Sequence, residues 1–348
     1  MAQVPEAPAG DRLAWTRDGL LVAALGLSGL YLFRDFLIPL AFALLLVVLL
    51  SSLADWLRAR RPFGRAVPAW AAHALSFAVL LLGGLAFTSI VGAQLSGLAA
   101  ALPHYAVRLE QWASPGDAGW AGPVLAGLRD LLGRTDVAGL VLRLVQDATG
   151  LLLTLLYVPF LLLERHPMRA KIEAAAGPDG SGAKVIEVAA RASASIKRYL
   201  GVKTFVSVLT ALASYAVMKP LGLDFAETWA VLTFALNFIP SIGSVLAVAL
   251  ASAMAVVQFG EPAPVLVLLL GLGTVQMVLG NVVEPALMGR SLNLSPLMVI
   301  LSLTAWTGIW GLPGALLSVP FTVCILLVLA ELRGGRWIAV LLSMDGRV

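Results

Sequence analysis

Apolar residues run in long blocks along this chain, and the polar residues collect in short intervals between them. Residues 19–33 and 36–53 are two such blocks, parted only by Arg34 and Asp35, which predicts a tight helical hairpin. Further blocks run from about 66 to 94, from 148 to 163 and from about 200 to 218. Apolar blocks of this length with few charges read as transmembrane helices, since about 20 helical residues cover a hydrocarbon core of about 30 Å. Two more blocks, 225–259 and 295–330, are each interrupted near the middle. The first break reads Asn237-Phe238-Ile239-Pro240-Ser241-Ile242-Gly243, and the second Gly311-Leu312-Pro313-Gly314, with Pro320 following. As one straight helix, residues 225–259 would measure about 50 Å, whereas two legs of roughly 16 residues would reach about 24 Å each. Re-entrant hairpins are therefore expected, with a kinked full crossing as the alternative. Pro240, Gly243, Pro313, Gly314 and Pro320 are read as helix-break and hinge residues, geometric rather than chemical in role.

Between the broken blocks lies a central apolar run, 263–280, and then a polar island, Gly280-Asn281-Val282-Val283-Glu284-Pro285-Ala286-Leu287-Met288-Gly289-Arg290. The sum is an all-α polytopic integral membrane protein of about eight transmembrane segments, two of them broken. Paired breaks in corresponding apolar segments are the best sequence pointer to a transporter's binding region. Residues 1–18 are expected to be a cytoplasmic tail, 19–94 the first three transmembrane helices and 148–163 the fourth. Residues 199–333 then form the motif-bearing transport unit, and 334–348 a second cytoplasmic tail. In 95–147 the residues Leu95, Leu98, Leu102, Tyr105, Leu109 and Trp112 recur at helical spacing, which predicts amphipathic extramembrane helices. That stripe faces a partner subunit, or else the protein's own bundle or the membrane surface.

Charge sets the orientation. Arg58, Arg60, Arg61 and Arg65 crowd one interval, and residues 164–198 hold seven Lys/Arg against four acids, so both intervals are expected to be cytoplasmic loops. Both termini are then cytoplasmic. The first apolar block leads straight into a second, which predicts a retained helix rather than a cleaved signal. With 59% hydrophobic and 13% charged residues, the net charge of +4 is a matter of topology, and no nucleic acid is expected as partner.

The chemistry available is sparse. The single cysteine, Cys324, excludes an intrachain disulfide, and His73, His104 and His166 lie on different segments, so no metal site is expected. The motifs of zinc hydrolases, serine hydrolases and nucleotide-binding loops are missing from the sequence; no enzyme activity, no cofactor and no ATP motor are expected. Glu284 is the acid to weigh first, because an ionisable group at the end of an apolar run is costly in lipid and functional by default. It can bind a cation, relay a proton or accept from substrate hydroxyls, or else be a carboxylate at a helix end paired with Arg290. Asn237, Gln276 and Asn281 offer amide donors and acceptors suited to a neutral, hydroxyl-rich solute, or to hydrogen bonding between helices. The expected substrate or ion pathway is thus Asn237, Gln276, Asn281, Glu284 and Arg290, with Pro285 and Gly289 joining the hinge positions. Lys197, Arg198 and Lys203 read as snorkelling, topology-setting charges. Gly271, Gly273 and Gly280 read as sites of close helix approach.

Taken as a set, the Asn237–Gly243 block, the Gly280–Pro285 block, Met288-Gly289-Arg290-Ser291-Leu292-Asn293-Leu294-Ser295-Pro296 and the closing Gly311–Pro320 block resemble the autoinducer-2 exporter family of bacterial permeases. Lys197-Arg198-Tyr199-Leu200-Gly201-Val202-Lys203 resembles the segment that introduces the same half of that family. The resemblance implies a multi-pass bacterial inner-membrane protein, assembled as a homo-oligomer in the lipid bilayer, that exports a small solute such as autoinducer-2. It also implies exchange of sodium or lithium for protons as an alternative activity. Ser241 departs from the aromatic or glycine-rich position of the family. A membrane scaffold that moves nothing, working through residues 95–147, is the remaining alternative.

Overall fold

The computed structural model describes residues 24–60, 67–112, 148–176, 181–288, 293–332 and 334–346, besides residues 21 and 127 singly. The expected tail 1–18, most of 113–147, and the site positions Gly289 and Arg290 lie outside the described residues. Residues 24–32 are helical and turn at Phe33, whose carbonyl accepts from the N–H groups of Phe36 and Leu37 at 3.1 and 2.9 Å. There follow α1 (Arg34–Arg60), α2 (Ala69–Trp112), α3 (Ala148–Ala175), α4 (Ser181–Met218), α5 (Ala226–Leu236), α6 (Ile242–Phe259) and α7 (Pro262–Val278). A π-helical turn (Leu279–Val283) joins α7 to the short α8 (Glu284–Met288), and α9 (Pro296–Glu331) and α10 (Arg336–Leu342) complete the order. The described residues hold no β-strand, only an isolated bridge between Leu294 and Ser343. Six of their helices are long and apolar enough to cross a membrane, and α5 is a shorter apolar helix. This is an all-α, multi-pass membrane protein.

Three boundaries drawn from the sequence are corrected. α2 continues unbroken to Trp112, so position 94 is no helix end. Helices extend into the basic interval 164–198: α3 runs to Ala175 and α4 begins at Ser181. The α3 and α4 extensions are rich in Ala, Glu, Lys and Arg, residues that lose little freedom by staying helical once the apolar block has ended. The segment after residue 334, expected as a cytoplasmic tail, is docked on the start of α9. Ala339 of α10 is fully buried, Ser295 N–H donates to Leu342 O at 3.1 Å, and Met344 N–H donates to Asn293 O at 3.1 Å.

Both broken blocks fold back on themselves. At the start of α5, Ala226, Trp229 and Ala230 share a core with Ala251, Met254, Ala255, Val256 and Val257 at the end of α6, so the two helices run antiparallel. Their base is pinned by Gln258, whose Oε1 accepts from Asp224 N–H and whose Nε2 donates to Gly222 O, each at 2.7 Å. Helix α9 bends at Gly311, where φ 64 and ψ −141 leave the helical region. Trp306 then packs against Phe321 in a tilted contact with ring centroids 4.8 Å apart, although about 22 Å of rise would separate them in a straight helix. The two hairpins meet α4 at different levels, one at its C-terminal end and the other near its middle. The α5–α6 base packs with Met218, and the α9 base packs with Ile196, Tyr199 and Leu200. About 20 residues, or roughly 30 Å of helix, lie between these two levels, which matches a hydrocarbon core. At its tip the first hairpin places Ile239 against Leu303 and Ala315 of the second.

Part of the α2 extension has its partner in the same chain. Tyr105 is buried in the core at the α5–α6 base and its hydroxyl donates to Asp224 Oδ2 at 2.7 Å, while Thr228 Oγ1 donates to Gln94 Oε1 at 2.7 Å.

Candidate functional site

Two glycines make the hairpin tips possible. A Cβ at Gly243 would stand 1.8 Å from Leu236 O, and one at Gly314 would stand 2.0 Å from Trp306 O. No side chain fits there, so each returning helix can touch the backbone of the leg it came from. In the first tip Asn237 is 2% exposed; its Nδ2 donates to Ser207 Oγ at 3.0 Å and its Oδ1 accepts from Ser244 Oγ at 3.5 Å. Asn237 therefore ties the tip to α4. Pro240 and Ser241 complete the turn: Ile242 N–H donates to Pro240 O at 2.6 Å around Ser241, which holds φ 60 and ψ −52. This positive-φ γ-turn is a strained conformation of the kind that collects at functional sites.

Opposite that tip, α7 passes into the π turn. Pro285 has no N–H, so the carbonyl of Asn281 cannot receive the ordinary i→i−4 bond, and the helix widens: Glu284 N–H donates to Leu279 O, five residues back. Single π turns inside α-helices occur frequently at functional sites. The widened turn brings Glu284 to α4, where Lys203 Nζ donates to Glu284 Oε1 at 2.7 Å. Lys203 is 4% exposed. A buried pair of this kind survives because each charge neutralises the other where water cannot.

Between the tip and the π turn lies a cleft of about 680 Å³. Its chemistry comes from Lys203, Ser241, Ser244, Gln276, Asn281 and Glu284, and its room from Ala249, Gly273 and Gly280. Gly273 and Gly280 have open space where a Cβ would be, unlike Gly271, whose Cβ would come 2.7 Å from Val217 Cγ1. Of the three glycines read from the sequence as helix-packing sites, one packs α7 on α4 and two widen the cleft. Gln276 is 9% exposed and its Oε1 has no hydrogen-bond partner among the described residues. A buried amide oxygen left unpaired costs free energy until a donor reaches it.

Of the positions singled out from the sequence, Gln276, Asn281, Glu284 and Pro240 line one cleft, and Asn237 stands behind its wall. Gly243 shapes the first tip and Pro285 the π turn. Pro313, Gly314 and the buried Pro320 belong to the second hairpin, away from the cleft. Three features were missed. Glu284 pairs with Lys203, a residue read as a snorkelling charge; the available signal was a lone cation inside an apolar block with no acid of its own. The π turn had only Pro285 to announce it. Within the second break, read as Gly311–Gly314 with Pro313 and Gly314 as hinges, the bend falls at Gly311, because glycine takes positive φ without cost.

A sequence profile describing AI-2E family transporters matches residues 20–334. The AI-2 transport protein TqsA of Escherichia coli (strain K12) is 32% identical over 345 residues, covering 93% of this chain and 94% of that protein. A putative transport protein of Haemophilus influenzae is 27% identical over 333 residues, covering 89% of this chain and 91% of that protein. Another, from Borreliella burgdorferi, is 35% identical over 184 residues, 53% of this chain and 51% of that protein.

Proposed function

The chain belongs to the AI-2E family of transporters, and from that premise we propose that it is a secondary carrier exporting a small polar solute through the cleft at Lys203, Gln276 and Glu284. The observation that carries this reading is the cleft itself. It joins a hairpin tip to a π turn and presents hydroxyl, amide, carboxylate and ammonium groups from helices that are otherwise apolar. Irregular backbone inside a membrane protein is tolerated where it lines a cavity, and opposed half-helices meeting at a site are a recurrent transporter arrangement. In this reading the two hairpins move against the α4 frame and expose the cleft to one side at a time.

Autoinducer-2 is the first solute to test, since the similar Escherichia coli protein carries it in its name. The unpaired Gln276 oxygen suits a hydroxyl donor, and the Lys203–Glu284 pair suits a solute with no net charge. The chain is taken as a homo-oligomer of the bacterial inner membrane with both termini cytoplasmic, carrying out no bond chemistry. Sodium/proton exchange has less support, because the carboxylate it would use already holds Lys203 at 2.7 Å.

The test is efflux of autoinducer-2 from sealed vesicles. Glu284→Gln and Gln276→Leu are expected to lower the initial rate about tenfold or more, the loss of roughly one hydrogen bond to a buried group. Asn237→Ala is expected to slow it by loosening the tip. Unchanged flux in all three variants would remove the cleft from the mechanism.

A further inference from the structure

The Lys203–Glu284 pair stands on the wall of the cleft. Glu284 is a hard oxygen ligand on the cleft wall, its side chain 17% exposed. Asn281 lines the cleft one turn before it, so two oxygen-bearing side chains share one face of the widened turn. Pro285 withholds the N–H that would otherwise occupy the Asn281 carbonyl. A carboxylate and an amide at an interrupted helix are the materials from which carriers build monovalent cation sites. Here a single positive charge is already present: Lys203 Nζ, on a side chain 6% exposed, 2.7 Å from Oε1. Among the described residues no other acid receives Lys203, so its charge is committed to Glu284.

We propose that Lys203 is a tethered cation that stands permanently in the coupling-ion position at Glu284, so that this carrier works without sodium, and that its removal turns the cleft into a sodium site. The inference rests on the transporter reading above and adds to it the residue that decides ion dependence. Its basis is that a second cation cannot approach Glu284 while the ammonium is there. The two like charges would sit within a few ångströms in a medium that screens poorly, and the carboxylate could neutralise only one of them. Lys203→Arg keeps the charge; Lys203→Met keeps most of the apolar stem and removes it.

The experiment compares purified protein in sodium chloride and in choline chloride of equal ionic strength, by thermal unfolding and by uptake of radioactive sodium into proteoliposomes. Wild type and Lys203→Arg are expected to unfold at the same temperature in both salts and to take up no sodium above empty vesicles. Lys203→Met is expected to be stabilised by sodium alone and to gain uptake. Its apparent sodium affinity should exceed that of Lys203→Met/Glu284→Gln by about tenfold or more, the order expected when the carboxylate facing a bound cation is replaced by a neutral amide. Sodium-specific stabilisation of the wild type overturns the proposal, and so does a Lys203→Met protein no more responsive than the double variant. Should Lys203→Met be folded only in sodium, as judged by size-exclusion chromatography, the proposal is supported; aggregation in both salts overturns it. Autoinducer-2 efflux is measured in parallel. Its complete absence in wild type removes that solute and leaves the ion comparison standing, whereas wild-type efflux that stops in choline overturns the tethered-cation reading alone.

Discussion

A methyl group has opposite consequences at two glycines of this protein. At Gly243 it would overlap Leu236 O at 1.8 Å, so Gly243→Ala must push α6 off α5; we expect a loss of about 1–3 kcal/mol, the usual cost of overpacking, read as a lowered unfolding temperature in detergent. At Gly273 the same methyl meets open space in the cleft. Gly273→Ala should leave the unfolding temperature unchanged and reduce solute flux, and a flux equal to wild type would argue that solute does not pass that wall. The Lys203–Glu284 pair belongs to this scale too. Glu284→Gln strands a buried ammonium, and breaking such a pair costs roughly 3–5 kcal/mol, whereas removing both partners is often close to neutral. The double variant Lys203→Met/Glu284→Gln should therefore be more stable than Glu284→Gln alone. A thermodynamic cycle of unfolding free energies measures the coupling, and a coupling near zero would mean the pair is not formed in solution.

At the scale of elements, one proline decides where α7 points its last polar residues. The π turn places Glu284 on Lys203 because Pro285 cannot bond to Asn281. Pro285→Ala restores the N–H, allows an ordinary α-helical turn and rotates Glu284 away from α4. The expected outcome is a protein no more stable than wild type, since the roughly 3 kcal/mol gained by replacing a helical proline is offset by the roughly 3–5 kcal/mol lost when buried Lys203 is stranded, with slowed flux and a Lys203–Glu284 coupling reduced toward zero. Retention of full coupling would show that tertiary contacts, not the proline, hold the turn. The extension of α2 acts similarly as a unit: Tyr105 on Asp224 and Gln94 on Thr228 brace the base of the first hairpin. The stripe at 95–112 is thus used, at Tyr105, against the protein's own core.

Across the whole molecule, two hairpins pack on α4 at Met218 and at Ile196–Leu200 and touch where Ile239 meets Leu303 and Ala315. Their bases are fastened, one by Gln258 and the other by α10 through Leu342 and Met344. The tips meet only through apolar side chains, a contact able to slide or part without stranding a polar group. If transport requires the hairpins to shift against each other, Ile239→Cys/Leu303→Cys in a Cys324→Ser background should lose flux on oxidation and regain it on reduction. Full flux with the cross-link formed, as judged by peptide mass, would mean the tips stay together throughout the cycle.

What the sequence determines by itself is local. Apolar blocks longer than a bilayer needs, punctuated by Asn237–Gly243 and Gly311–Gly314, are enough to require broken helices in a membrane protein, because unsheltered backbone is too costly in lipid. The same arithmetic singled out Gln276, Asn281 and Glu284, since polar groups beside apolar runs are few and visible. Helix ends were less legible at Trp112, Ala175 and Ser181: charged residues that leave the membrane remain good helix formers, so a change in polarity is no guide to a change in structure. Only the tertiary structure decided which charges meet. Lys203 and Glu284 are 81 positions apart in the chain, and their pairing depends on the phase of a π turn and on how closely α7 packs at Gly271 against α4. Such a partnership is set by the distance between helices, a quantity that hydrophobic periodicity does not contain.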